Sequence, residues 1–260
     1  MNNTTPIKAL TAALLLTFGF ALTANAAPVN TGASEMNQQQ TVSDTLSARQ
    51  QAIPLIAASM ASSQMEKLNT ALNQGLDAGL TVNEAKEILV QLYAYTGFPR
   101  SLNALSELMK VVDARKQRGI EDVEGKEPVA TIPVGDELRR VGTANQTKIS
   151  GAPVQGPLFD FAPVINQFLQ THLFGDIFAR DNLDWQSREL ATVGALAATP
   201  GVEAQLLSHT RASMRVGLTA AQLRQLAQVL RQLAQVLREY GENDAAMRAE
   251  KALQQALANH

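Results

Sequence analysis

The sequence has 260 residues, no cysteine and only three histidines, at positions 172, 209 and 260. Without a thiol, the chain has no CxxC redox pair, no peroxidatic nucleophile and no thiolate metal site. Three histidines do not suit a histidine-rich metal centre, so we predict no metal site. The absence of cysteine also suits an oxidising compartment, since a chain of this size needs no disulfide to stabilise its core.

Aromatic residues and excess charge are also scarce. Aromatics make up 5% of the chain, and 22 basic residues oppose 24 acidic ones. There is no basic stripe or acidic tail, so the composition predicts neither nucleic acid nor an anionic membrane surface as a partner. Few aromatics together with many Ala, Leu and Gln residues favour helix over sheet. We therefore expect an all-α protein.

The N-terminus has the pattern of an export signal. Lys8 precedes an apolar stretch from Ala9 to Leu22, and Ala24-Asn25-Ala26 fits a small-x-small cleavage site. The stretch is shorter than the roughly 20 residues that span a bilayer. We predict a signal peptide at 1–26 and a periplasmic protein without membrane contact after cleavage, the alternative being an uncleaved anchor. Residues 27–43 are polar and predict a disordered lead-in.

The chain contains an internal repeat. Gly79-Leu80-Thr81 recurs as Gly217-Leu218-Thr219, and a helical stretch of equal length precedes each tripeptide, at 47–78 and 185–216. A helical pattern follows each tripeptide, and Thr81 begins the first of these helices with a capping box. Recurrence in the same setting indicates two diverged copies of one helical unit.

The repeat defines a domain plan. The first copy covers 44–116, the second copy covers 161–260, and 117–160 is a long irregular connection with a short helix near Asp136 to Val141. In the second copy, RQLAQVL at 224–230 recurs unchanged at 231–237. Seven residues are two helical turns, so the duplication either lengthens one helix without rotating its apolar face or forms a short coiled-coil-like contact.

Three long blocks carry a family resemblance. LTVNEAKEILVQLYAYTGFPRSLNAL (80–105), FGDIFARDNLDWQSRELATVGALAA (174–198) and GVEAQLLSHTRASMRVGLT (201–219) resemble the carboxymuconolactone decarboxylase family. The resemblance implies an alkylhydroperoxidase-D-like fold of helical units that assemble into trimers or hexamers. For a two-copy chain it implies a homo-oligomer, a trimer in which the internal copies stand in for a dimer. One branch of the family reduces peroxides through a CxxC pair, which this chain lacks.

The peroxide-reducing branch also uses a glutamate and a histidine near its CxxC pair, and this chain has both residues at a comparable separation. Glu189 and His209 lie on consecutive helices of the second copy, and a histidine beside a carboxylate is a common acid–base pair. The alternative interpretation gives Arg188 and Glu189 surface ion pairs and makes His209 a satisfied interhelical histidine. In the first copy Gln50-Gln51 stand opposite Arg188-Glu189, and Ala71 stands opposite His209.

Other polar residues are candidates for substrate contact or for packing. The helix break at Gly97 is flanked by Tyr95, Arg100 and Asn103, whose side chains can converge on a pocket near a helix N-terminus. His172 lies where the chain enters the second copy, with packing as its alternative. The remaining interpretations are structural: Glu84 as a cap, Glu87 as an exposed residue or pocket wall, and Trp185 as a packing anchor.

The resemblance implies a cofactor-free decarboxylase-like enzyme acting on a small lactone or carboxylate. Arg100 and Arg188 would bind carboxylates, His209 would donate a proton and Glu189 would orient His209. The family's substrate comes from the cleavage of aromatic rings in the cytoplasm, whereas this protein is expected to be exported. Another lactone or a quinone-like molecule is therefore a nearly equal candidate substrate. The alternative is a non-catalytic helical oligomer that binds a ligand or a partner protein. The enzyme hypothesis expects Glu189 and His209 to face one accessible cavity.

Overall fold

A computed structural model describes residues 44–236 and 244–258 of the chain. The predicted signal peptide and lead-in lie outside these residues. The described residues form helices and connections without a strand, which confirms the all-α prediction. None of these helices combines the length and the apolarity that a bilayer crossing requires.

The first copy begins and ends its helices with local capping signals. Ser47 and Gln50 form a capping box on the first helix, and Thr81 and Glu84 form another on the third, which confirms Glu84 as a cap. Gly97, at φ 86°, separates the fourth helix from the fifth. The helices are α1 Ala48–Ala61, α2 Met65–Asp77, α3 Val82–Gln91, α4 Tyr93–Thr96 and α5 Phe98–Gln117.

The connection between the copies contains more helix than its sequence predicts. The predicted short helix is α6, and it spans Gly135–Ser150, with acidic residues in its first turn and Gly151 in the left-handed region at its end. Only a narrow face of α6 is buried, at Gly142, Gln146 and Ile149. Because the rest of the helix is polar, its apolar period is weak in the sequence.

The second copy continues this helical chain. A π-helix, Leu169–Ile177, packs against α6 so closely that the ideal Cβ of an alanine at Gly142 would lie 1.7 Å from the Gln170 carbonyl oxygen. After α6, the short helix α7, Pro157–Phe161, lies almost wholly in the connection. The α-helices of the second copy are α8 Pro163–Phe168, α9 Trp185–Ala197, α10 Glu203–Arg215, α11 Ala220–Val236 and α12 Asp244–Leu257.

The repeat is visible in the helix boundaries. Helix α10 begins and ends at the positions that the repeat pairs with the two ends of α2, and α11 begins at the position paired with the start of α3. Helix α11 is described as far as Val236, inside the second RQLAQVL segment, beyond the ten-residue length of α3. Up to that residue both segments lie in one continuous helix, as expected if the duplication lengthens one helix.

The two copies share one core. Helices α1 and α9, which are equivalent in the repeat, pack against each other at its centre, and every residue from Ser187 to Ala197 is buried. Their crossing is close because α9 has a glycine there: an ideal Cβ on Gly194 would lie 2.7 Å from Pro54 Cα. This contact fixes the position of α9, the helix that carries Arg188 and Glu189.

Candidate acid–base site

The predicted glutamate–histidine pair is formed across two neighbouring helices. His209 Nδ1 on α10 lies 2.9 Å from Glu189 Oε2 on α9. The Glu189 side chain is 0% exposed and the His209 side chain is 14% exposed. Glu189 is therefore not a surface residue, as the alternative interpretation had it, but a buried carboxylate whose hydrogen bond can orient the imidazole. The catalytic role of the pair stays a prediction.

A tyrosine from the first copy completes this cluster. The Tyr95 ring lies edge-on to the His209 imidazole, with 5.4 Å between the ring centroids. Burial, and after it the Glu189 carboxylate, raises the pKa of Tyr95 far above its usual value, while Thr192 and Arg188 lower it in part. The Tyr95 hydroxyl and Glu189 Oε1 are buried atoms without a hydrogen bond of good geometry within the described part of the chain. Both copies thus contribute to one site.

Arg188 lies in the core and not on a ligand surface, which corrects its assignment as a substrate-binding residue. Its Nη2 donates to Glu87 Oε1 at 2.9 Å and its Nη1 donates to Gln91 Oε1 at 3.0 Å. The side chain of Arg188 is 0% exposed and that of Glu87 is 2% exposed. Glu87 is therefore neither exposed nor a pocket wall. Burial lowers the pKa of Arg188, and the nearby Glu87 carboxylate opposes that change.

Further polar side chains extend this buried charge cluster. Arg180 Nε donates to both Glu87 oxygens, at 3.0 and 2.9 Å, and Asn182 Nδ2 donates to Glu87 Oε2 at 3.1 Å. Gln91 Nε2 donates to the Arg188 carbonyl oxygen and to Thr192 Oγ1. Sequence reasoning missed these partners. The signal was present as two polar pairs with i, i+4 spacing, Glu87/Gln91 on α3 and Arg188/Thr192 on α9.

The residues that the repeat pairs with Glu87 and Glu189 carry no charge. The repeat pairs Glu87 with Gln225, whose side chain accepts a hydrogen bond from the Leu46 amide at 2.6 Å. Gln51, the counterpart of Glu189, donates to the Leu46 carbonyl oxygen at 2.8 Å. One side of the repeat thus carries a buried charge cluster, and the other carries glutamines bonded to backbone.

The remaining predicted contact residues lie on the surface. Arg100 donates to Ser63 Oγ at 3.2 Å and to the Thr96 carbonyl oxygen at 3.0 Å. Asn103 is exposed on α5. His172 Nδ1 lies 2.8 Å from Asp176 Oδ2 on the exposed side of the π-helix. No hydrogen bond that the structure shows joins Arg100 or His172 to Glu189 or His209.

Trp185 anchors the start of α9, as predicted from its position. Its indole N–H donates to the Phe178 carbonyl oxygen at 3.3 Å, and its ring lies against Phe178. The Lys148 ammonium stands 4.4 Å from the centre of the Trp185 ring, so the tryptophan also joins α6 to α9.

The prominent surface cavities lie away from the acid–base pair. One of about 670 Å³ opens between α2 and α5, where Asn73, Asp77 and Arg118 line it. A smaller one of about 160 Å³ lies between α10 and α12 beside Leu206. The Glu189 side chain is 0% exposed, against the expectation that both members of the pair face one accessible cavity. The His209 side chain, at 14%, is the member of the pair that keeps contact with solvent.

Comparison with known protein families confirms the resemblance for the second copy. Residues 163–255 match the model of the Carboxymuconolactone decarboxylase family. This segment contains both members of the acid–base pair, whereas Tyr95, Glu87 and Gln91 lie before it. A search of curated proteins found no match.

Proposed function

We propose that this chain, with its carboxymuconolactone decarboxylase family domain at 163–255, catalyses cofactor-free proton transfer on a small lactone or carboxylate. The hydrogen bond of 2.9 Å between His209 Nδ1 and Glu189 Oε2 supports the proposal. A buried carboxylate that holds a partly exposed imidazole is the arrangement of an oriented general acid–base. The burial of Glu189 counts against the expectation of one shared cavity, so in this proposal Glu189 acts on substrate only through His209.

The roles of the pair follow from its geometry. Because Nδ1 of His209 is held by Glu189, Nε2 is the ring nitrogen left to exchange a proton with substrate. In a decarboxylation, the bond between the carbon and the leaving carboxylate breaks and carbon dioxide departs. The electron pair delocalises into the lactone carbonyl, and the His209 imidazolium then protonates the carbon. Glu189 orients the imidazole through its hydrogen bond to Nδ1.

Substrate contacts must come from residues other than Arg188, because its guanidinium already bonds Glu87 and Gln91. Tyr95 forms a wall beside His209 and presents a buried hydroxyl. Arg100 is an exposed cation and is our candidate for binding a substrate carboxylate, and Asn103 and His172 remain candidates for substrate contact at the outer surface.

We also propose that the chain works in the periplasm, because its N-terminal segment has the pattern of an export signal.

One observation favours the second candidate function, a non-catalytic helical oligomer that binds a ligand or a partner protein. Glu189 is 0% exposed, and the cavities described above lie at other places on the surface. In that case the Glu189–His209 hydrogen bond would stabilise the contact between α9 and α10 and nothing more.

Turnover by matched variants tests the proposal. Wild type, His209→Ala, Glu189→Gln and the control Gln205→Ala, an exposed site on the same helix, would be incubated with 4-carboxymuconolactone and related lactone acids. Carbon dioxide release and lactone loss would be followed. We expect His209→Ala to lose at least about 100-fold in kcat, as removal of a general acid–base does, and Gln205→Ala to match wild type.

The other outcomes are equally informative. Turnover that survives His209→Ala would keep the enzyme but move its site towards Arg100 and Tyr95. No turnover by folded wild type on the whole panel would remove the lactone decarboxylase and leave the binding protein as the better hypothesis.

A further inference from the structure

The larger of the two cavities described above is built from residues 69–120, before the segment that matches the family. Its volume of about 670 Å³ is within the range of small-molecule sites, roughly 300–1,000 Å³. Asn73 and Asp77 line it from α2, and Arg115 and Arg118 line it from the C-terminal end of α5. The acid–base pair is not among its lining residues, so this cavity is a separate place on the molecule.

The sequence at the end of α5 gives this cavity an apolar wall. Gly119 lies in the left-handed region at φ 78°, and its N–H donates to the Lys116 carbonyl oxygen at 2.9 Å. The Ile120 N–H donates back to the Arg115 carbonyl oxygen at 3.0 Å, which is the pattern of a helix that ends at a left-handed glycine. Ile120 is thereby folded back on the last turn of α5, where it lines the cavity together with the buried Val111.

Arg115 is neutralised within the protein and holds the polar side of the cavity in place. Its side chain is 5% exposed, and it donates to the similarly buried Asp122 through Nε and Nη2. Nη2 also lies 2.8 Å from Asp77 Oδ1, and Nη1 donates to Asn73 Oδ1 at 3.3 Å. The Asp77 side chain is nevertheless 67% exposed, and its Oδ2 forms no hydrogen bond within the described residues. This carboxylate oxygen is therefore left to accept from a ligand.

Arg118 is the cation of the cavity that lacks a carboxylate. Its Nε donates to the Ala114 carbonyl oxygen at 3.3 Å, and its Nη2 donates to Asn73 Oδ1 at 3.5 Å. Both acceptors are neutral, and in the described part of the chain Arg118 forms no ion pair, so Nη1 is left to donate to a ligand. Arg118 and Asp77 thus line one cavity with opposite charges that are not bonded to each other.

The charges of the cavity select the kind of ligand. The Arg115 and Asp122 charges cancel in their ion pair, which leaves one positive group, Arg118, and one negative group, Asp77. A simple anion would meet the Asp77 carboxylate without compensation, and a simple cation would meet the Arg118 guanidinium in the same way. A neutral molecule with separated charges of both signs satisfies the two groups together.

We infer that the cavity between α2 and α5 binds a small zwitterion with an apolar side chain, the chemistry of a free amino acid or a dipeptide. The ligand carboxylate accepts from Arg118, and the ligand ammonium donates to Asp77. The apolar side chain of the ligand packs on Val111 and Ile120. This binding is a function apart from the proposed proton transfer, because its residues lie on other helices than the acid–base pair.

Isothermal titration calorimetry of the purified chain tests the inference. The zwitterions are leucine and alanyl-leucine, with N-acetylleucine as a carboxylate without the ammonium and leucinamide as an ammonium without the carboxylate. We expect zwitterion binding with a Kd of about 1 mM or below, and the tighter of leucine and alanyl-leucine distinguishes an amino-acid site from a dipeptide site. Each single-charge analogue should bind at least about 10-fold more weakly, because one charged hydrogen bond is lost.

Matched variants assign the binding to the two charges. Arg118→Gln and Asp77→Asn should each weaken zwitterion binding by about 10-fold or more, since each removes one charged partner. Lys116→Gln and Asp113→Asn are the controls, because these exposed residues carry the same charges on α5 but do not line the cavity. Both controls should bind like wild type.

Nuclear magnetic resonance gives a second measurement that does not depend on a substituted chain. The amide resonances of Gly119 and Ile120 should shift when wild type is titrated with the zwitterion, because these residues form the end of α5 at the cavity. The amides of α9 and α10 should not shift.

Several results would overturn the inference. Absence of both heat and resonance shifts up to about 10 mM zwitterion would do so. Equal binding of N-acetylleucine would make the cavity an anion site, and equal binding of leucinamide would make it a cation site. Undiminished binding by Arg118→Gln or Asp77→Asn, or an equal loss in the controls, would also contradict it. Intact zwitterion binding without lactone turnover would count against the proposed function alone, and turnover without zwitterion binding would count against this inference alone.

Discussion

The buried charge cluster makes a quantitative prediction for Glu87→Gln. Glu87 accepts from Arg188, which is fully buried, and from Arg180, whose side chain is 34% exposed. The substitution removes the one negative charge bonded to both guanidinium groups while preserving the size of the side chain. Breaking a buried ion pair from one side typically costs about 3–5 kcal/mol. Because glutamine keeps one acceptor oxygen and Arg180 can turn to water, we expect about 3 kcal/mol.

Urea unfolding followed by circular dichroism measures this loss. A decrease of about 3 kcal/mol is more than a 100-fold change in the unfolding equilibrium constant, provided that the slope with denaturant stays the same. Glu137→Gln is the matched control, because Glu137 pairs with Arg140 on the exposed face of α6, and it should unfold like wild type.

A double-mutant cycle separates the charge from the packing. Arg188→Met in the Glu87→Gln background removes the uncompensated buried cation, so the double variant should be more stable than the sum of the two single losses predicts. A loss below about 1 kcal/mol for Glu87→Gln, with native circular dichroism, would refute the argument that this pair holds α3 on α9.

Three further predictions concern packing, the tyrosine and the connection. Gly194→Ala should destabilise the fold by about 2 kcal/mol in urea unfolding, since its Cβ would meet the backbone of Pro54. Gly75→Ala, whose tightest contacts would be the flexible ends of Ile56 and Leu80, should change stability by less than about 1 kcal/mol. Tyr95→Phe should leave unfolding stability equal or raise it by about 1 kcal/mol, because it removes a buried hydroxyl without a good hydrogen bond; a marked loss would mean that the hydroxyl is bonded. The Val129 amide donates a hydrogen bond to Asp181 and lowers the pKa of that carboxylate. The hydrogen bond is therefore fully formed above the ordinary aspartate pKa of about 3.9. It is lost as the pH falls through the lower pKa that Asp181 has in the folded protein. The Val129 amide proton resonance should therefore shift in the acid range below about pH 4 in wild type and stay unchanged there in Asp181→Asn.

Local signals in the sequence predicted most of the helices and the acid–base pair. The capping box at Thr81 and the internal repeat gave the boundaries of the helices that surround the site, because capping and apolar period act within a few residues. Glu189 and His209 were found because consecutive antiparallel helices bring such positions together.

Contacts between residues that are far apart in the chain could not be predicted from such local signals. Arg188 was assigned to a substrate because nothing near it in sequence indicates that Glu87, 101 residues earlier, lies against it. Whether Arg100 faces the site or solvent depends on how α4 and α5 turn at Gly97, which is a tertiary property. The full length of α6 was missed because its buried face is narrow and partly polar.

The contact between α1 and α9 also determines the order in which the protein can fold. Helix α1 of the first copy buries its apolar face mainly against α9, which begins at Trp185, so loop closure over more than a hundred residues must precede a complete core. During synthesis the first copy emerges with Glu87 and Gln91 still exposed to water. Refolding should accordingly show the amides of α3 and α9 gaining protection together, in one slow cooperative step, and not copy by copy.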